Sequence, residues 1–165
     1  MLKTMITTAA LLSLTSGIAM ADCNIQSDTD VNANKALVLG FYDTINAEDW
    51  EKVATFLHDD FLFYPQVDRY YEGAEGFIDA EKKNFDAFDN WSMPIVEMTA
   101  EYNRVATYHV VEGTHVRPIM GLEPSGNQLR FSLLMMLTIK DGKIIEKRAH
   151  YDRMDISEQL GSEDT

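Results

Sequence analysis

Residues 128–152 read QLRFSLLMMLTIKDGKIIEKRAHYD, two apolar runs joined by Lys140, Asp141 and Gly142. That spacing predicts a β-hairpin with a three-residue loop, a type I turn followed by Gly142 in the left-handed region. On this register Ile139 faces Lys143 and Met135 faces Lys147. Strand side chains alternate between faces. Leu129, Phe131, Leu133, Met135 and Leu137 therefore share one face with Ile145, Lys147, Ala149 and Tyr151, apolar except for Lys147. The opposite face carries Arg130, Ser132, Thr138, Glu146, Arg148, His150 and Asp152. Leu134, Met136 and Ile144 interrupt that polar face, and exposed apolar groups in a row suggest a homodimer contact.

Upstream of the hairpin, strands are expected over Ile95 to Tyr102 and Arg104 to Val116. The first half is helical in texture. Ala36, Leu37, Val38, Phe41, Tyr42 and Ile45 recur at helical spacing, with Asn32 or Asn34 as the cap. Glu48 and Asp49 open a second short helix that His58 closes, with Trp50, Val53, Ala54, Phe56 and Leu57 as its buried stripe. Phe61 to Tyr64 reads as a strand stopped by Pro65, and Gly73 to Asn90 as a third helix carrying Phe77, Ile78, Phe85 and Phe88. Helices first and an antiparallel meander afterwards define an α+β fold rather than βαβ units.

The amino end is read apart from the fold. Lys3, an apolar stretch from Met5 to Ile18 and Ala19-Met20-Ala21 form a secretory signal cleaved after Ala21. The expected organisation is a signal peptide at 1–21, a flexible segment at 22–33, a domain at 34–161 and an acidic tail at 162–165. The protein is then periplasmic or secreted from a bacterium. Asp22 before Cys23 argues against a lipoprotein anchor, and a lone cysteine allows no intramolecular disulfide. The formal net charge of −13 becomes −14 once Lys3 leaves with the signal. So acidic a chain repels nucleic acid phosphates and anionic lipid surfaces. No nucleic acid partner is expected, and no membrane partner after cleavage.

A family resemblance is carried by an ordered set of motifs. In the second half these are Glu112-Gly113-Thr114-His115, Gly121-Leu122-Glu123-Pro124-Ser125-Gly126, Asp141-Gly142-Lys143-Ile144 and Asp152 followed by Gln159-Leu160-Gly161. In the first half they are Asn46-Ala47-Glu48-Asp49, Asp60-Phe61 and Gly73-Ala74-Glu75-Gly76-Phe77. The sequence from about Asn34 to Gly161 resembles the SnoaL-like polyketide cyclases and ester cyclases, of the nuclear-transport-factor-two-like superfamily. The resemblance implies a cone in which a curved, mostly antiparallel sheet wraps three N-terminal helices around a pocket for a small, largely apolar molecule. It implies no metal or organic cofactor. The family's cyclases close a ring with a pocket Asp helped by a His, since carbon acid chemistry needs one group to take the proton and another to steady the oxyanion. By hairpin alignment those positions fall on Ala149 and Met135, so the cyclase activity is not carried over.

Asp152 and His115 match common family positions and are the candidate acid/base groups, against structural roles as a C-terminal cap and a rim residue. Tyr64 stands where the family often has a His, and a phenol can still donate a hydrogen bond. Tyr64, Phe131, Met135, Lys147, Ala149 and Tyr151 are the candidate ligand-binding residues. Lys147, on an apolar inward face, could act as nucleophile or anion anchor, or extend to water. His150 and Asp152 share a strand face expected to point outward. His58-Asp59-Asp60 lacks a second ligand cluster, so no metal site is assigned. His109 could line the cavity or face out. Three readings remain: a binding protein whose cone lacks the cyclase pair, a cofactor-independent isomerase, lyase or hydrolase acting on a small hydrophobic substrate, and an interaction module using the polar sheet face.

Overall fold

The computed structural model describes residues 30–161; the expected signal segment, Cys23 and the expected acidic tail lie outside them. Helix α1 (Val31–Asn46) is followed by α2 (Trp50–Thr55), β1 (Leu57–Gln66), β2 (Arg69–Glu72) and α3 (Gly73–Ala87). Then come β3 (Phe88–Ser92), β4 (Ile95–Glu101), β5 (Arg104–His115), β6 (Gln128–Lys140), β7 (Lys143–His150) and α4 (Arg153–Gln159). The strands form one sheet in the order β2-β1-β7-β6-β5-β3, with β4 paired to the other end of β5. Among the described residues only the β1–β7 pairing is parallel. The sheet curls without closing, and the first three helices sit against its concave side.

Local chemistry sets the element ends. Asp30 caps α1, its carboxylate accepting from the N–H groups of Asn32 at 2.9 Å and Ala33 at 3.2 Å, which satisfies donors a helix start leaves open. The helix thus begins before either expected cap. Asn34 is buried instead and donates to the Tyr102 carbonyl at 3.0 Å. His58 does not close α2; it belongs to β1. Pro65 does not stop β1 either, because it occupies the irregular stretch between the Phe63 and Gln66 pairings to β2, where the missing N–H breaks no regular ladder.

The third helix ends at Ala87, three residues earlier than its apolar spacing suggests. Phe88 to Ser92 turns into β3, whose pairing to β5 shifts between Asp89 and Ser92, with Asn90 at a φ of 56°. Gly113 of β5 makes this crossing fit. A Cβ there would lie 2.9 Å from Cβ of Phe88 and 3.1 Å from the Trp91 ring.

The hairpin departs from its expected register. Asp141 and Gly142 have φ values of 52° and 73°, and Lys140 pairs with Lys143. Positive φ at both central residues marks a two-residue type I′ turn, whose twist matches that of the strands. Further on, the pairing shifts between Thr138↔Glu146 and Ile139↔Ile144, so Ile145 is an extra residue on β7. The bulge exchanges two isoleucines: Ile144, expected outside, is fully buried, and Ile145, expected inside, is half-buried. Beyond it the faces agree with expectation, but Met135 faces Ala149 and Leu137 faces Lys147.

The main core lies between α1, α3 and the concave face. Phe77 is its hub, with ring centroids 5.8 Å from Phe41, 5.7 Å from Phe61 and 5.2 Å from Phe63. A second cluster joins Phe88 and Leu129 to Ile156 and Leu160. It docks α4, a helix absent from the sequence reading, against β6.

Candidate functional site

A cavity of about 270 Å³ opens between the concave face of β6 and β7, α3, β3 and the β1–β2 hairpin. Its walls are mainly apolar, with Phe63, Met93, Leu129, Phe131, Leu133, Met135, Ala149, Tyr151 and Ile156. Alternation along β6 turns Leu129, Phe131, Leu133 and Met135 inward, while the β7 bulge brings Ala149 opposite Met135. Four of the six expected ligand-binding residues thus meet here. The Trp91 side chain joins them, its indole N–H buried without an acceptor among the described residues and so available to a ligand oxygen.

Lys147 does not line the cavity. It is fully buried beneath the floor, its ammonium 3.0 Å from Oε1 of Glu81 and 4.2 Å from the centroid of the Phe77 ring. The rings of Phe63, Tyr42 and Phe41 surround it at 4.9, 5.5 and 5.7 Å. A buried ammonium surrounded by aromatic rings is attracted by the ring faces, on the order of 2 kcal/mol per favourable contact. Burial lowers the Lys147 pKa, opposed by the charge and hydrogen bond of Glu81. That carboxylate reaches the cavity wall, and its Oε2 lies 3.5 Å from the Asn84 amide nitrogen. Glu81 was missed in the sequence, although it stands four residues from both Phe77 and Phe85 and hence on the same helical face.

The other buried polar groups near Lys147 lie outside the cavity lining as well. His109, whose direction the sequence left open, points inward and is fully buried. Its Nδ1–H donates to the Met93 carbonyl at 2.9 Å, a partner that can only accept, and its Nε2 accepts from the Thr107 hydroxyl at 2.8 Å. Burial, more than the nearby Lys147 charge, pushes its pKa below the ordinary 6.5. Tyr42, packed on the imidazole at 4.5 Å, has its phenol pushed above the ordinary 10.0 by burial and then by the Glu81 charge, against the influence of Thr107.

The two expected acid/base residues stand elsewhere. Asp152 is the N-cap of α4, accepting from Met154 N–H at 2.9 Å and Asp155 N–H at 3.3 Å. His115 is fully buried at the end of β5, not at a rim, with its ring beside Phe88. Its Nδ1 accepts from the Ser125 N–H at 3.3 Å and so fastens the β5–β6 loop. Neither lines the cavity. Tyr64 lies on the convex side, where β1 alternation puts it opposite Phe63, and the Arg148 guanidinium stacks on its ring at 4.1 Å. His150 is on that side too, as expected. Among the described residues no three His, Cys, Asp or Glu side chains gather as a metal site, and no helix is long and apolar enough to cross a membrane.

The fold and its open concave cavity define a nuclear-transport-factor-two-like cone. The chain belongs to the SnoaL-like polyketide cyclase family, whose model matches residues 36–160. Among solved structures it is similar to a SnoaL-like polyketide cyclase candidate from Jannaschia sp. CCS1, with 21% identity and a TM-score of 0.75 over 84% of this chain and 99% of that one. It also resembles AclR, a candidate hydroxylase from Streptomyces galilaeus (24% identity, TM-score 0.72, covering 81% and 99%). A third relative in fold is an epoxide hydrolase of the LEH-like type from M. tuberculosis (16% identity, TM-score 0.63, covering 79% and 90%). Among curated proteins no sequence matches significantly.

Proposed function

We propose that this protein is exported and binds a small, largely apolar molecule in the cone, without the acid/base pair of the family's cyclases. One observation carries the reading: Met135 and Ala149, which hairpin alignment puts at the family's catalytic positions, face each other on the wall of an apolar cavity. Ligand pockets are commonly concave, mostly apolar and fitted with a few polar groups. Here Trp91, Glu81 and Asn84 supply those groups. The test is native mass spectrometry of protein purified from its host. A bound small molecule that is lost on Met135→Trp, which fills the cavity, supports the reading; protein that is empty under all conditions refutes it.

Export rests on Lys3, the apolar stretch and Ala19-Met20-Ala21. Amino-terminal sequencing of the mature protein should begin at Asp22. A second reading, a cofactor-independent isomerase, lyase or hydrolase, is favoured by Glu81, the one carboxylate on the cavity wall among the described residues. It displaces Asp152 and His115 as the acid/base candidate by position alone. Turnover of a recovered ligand that Glu81→Gln abolishes while ligand affinity survives would establish that reading.

A further inference from the structure

The charged groups facing the cavity are unequal in a way that bears on its ligand. Glu81, Arg69 and Lys83 are the lining residues that carry charge at neutral pH. Glu81 is buried and compensated by Lys147. Arg69, on β2, and Lys83, on α3, are both exposed, which places them at the mouth, and neither forms an ion pair among the described residues. Partners are not scarce. The chain has 27 acidic residues against 14 Lys and Arg, and Asp68, Glu72, Asp79 and Asp86 lie within four residues of these two cations. In so acidic a protein, two positive charges from separate elements, neither in an ion pair among the described residues, line one opening.

We propose that the ligand is a small hydrophobic carboxylate, its apolar body against Phe131 and Met135 and its head at the lip that carries Arg69 and Lys83. This rests on the reading that the cone binds a small apolar molecule. Burying the head among Leu133, Met135 and Ala149 would cost far more than the site could return, since an unpaired charge is strongly disfavoured in apolar surroundings. The mouth keeps it in contact with water and cations together. Lys147, the cation first suggested as an anion anchor, is already engaged by Glu81 and holds no such head. The overall negative charge does not forbid the ligand, because salt screens interactions beyond about 8 Å at physiological ionic strength and leaves the nearest charges dominant.

Octanoate, 1-octanol and octylamine share one chain length and differ in head group. They can be titrated into the protein while the Trp91 indole N–H resonance is followed by NMR. Octanoate is expected to bind most tightly and octylamine least, although 1-octanol is more hydrophobic than octanoate. Arg69→Gln combined with Lys83→Gln should weaken octanoate by about fivefold, the size expected of two exposed ion pairs, and leave 1-octanol unchanged. Both positions are exposed, so the fold should tolerate the changes. If 1-octanol binds as well as octanoate and the double variant changes neither, the carboxylate inference is wrong while the apolar cone stands. If none of the three shifts the Trp91 resonance, both the inference and the binding reading fail.

Discussion

The Lys147 ammonium lies 3.0 Å from the Glu81 carboxylate, joining β7 to α3 through a pair with almost no solvent contact. Such a pair attracts strongly but must offset the loss of hydration of two ions. Breaking it and removing it therefore have different consequences. Glu81→Gln or Lys147→Met alone leaves one uncompensated buried charge and should cost about 3–5 kcal/mol. Glu81→Leu together with Lys147→Met should recover most of that loss. Urea denaturation of the three variants measures the coupling, and additive losses in the double variant would contradict it.

The His109 imidazole is neutral in the fold with its pKa below 6.5, chiefly through burial. Below pH 6.5 the unfolded chain binds a proton there that the folded chain does not, so acidification favours unfolding. Stability should be fully present above pH 6.5 and fall as the pH drops toward the folded value. Thermal melts on either side of pH 6.5 give the slope, and His109→Gln should flatten it.

The cavity wall and the α4 cap can be separated by mutation. Ala149→Glu puts a carboxylate into an apolar wall and should weaken binding of any apolar ligand, with the neighbouring Lys147 already engaged by Glu81. Asp152→Asn should leave both binding and stability nearly unchanged, because Asn caps a helix about as well as Asp. Asp152→Ala should cost about 0.5–2 kcal/mol. Binding titrations paired with thermal melts read the two effects independently.

On the convex face Tyr108 pairs directly with Leu134, and Met136 stands two residues further along β6. These side chains are 37%, 45% and 41% exposed, a row of the kind that often marks a contact surface. If they form a homodimer contact, Leu134→Glu should convert the dimer to monomer in sedimentation velocity without changing the circular dichroism spectrum. A wild-type protein that sediments as a monomer at high concentration removes the dimer reading.

Much of the architecture was legible because it rests on local periodicity. The β6 span from Gln128 to Lys140 matches its apolar alternation, and short turns after β4 and β6 make the β4–β5 and β6–β7 pairings local. Where the sequence reading failed, non-local pairing was the cause. The run through Phe85 and Phe88 keeps a helical rhythm, yet pairing with β5 makes Phe88 the first residue of a strand. The all-exposed β2 has no burial alternation to reveal it. One extra residue at Ile145 changed which isoleucine enters the core, and no local rule places a bulge.

The sequence by itself determined the α+β class, the inward set of β6 and the apolar identity of the facing residues Met135 and Ala149, because strand alternation and residue identity suffice for these. Only the tertiary structure decided the chemistry buried beneath the cavity. Glu81 and Lys147 are 66 residues apart in the chain and His109 stands between them in sequence, so their meeting depends on how the sheet curls over α3. The curl also left Asp152 on a helix cap, His115 behind Phe88 and Tyr64 on the convex side. Side-chain direction within a strand is a local property. Which strand faces which helix is set by the packing of the whole cone.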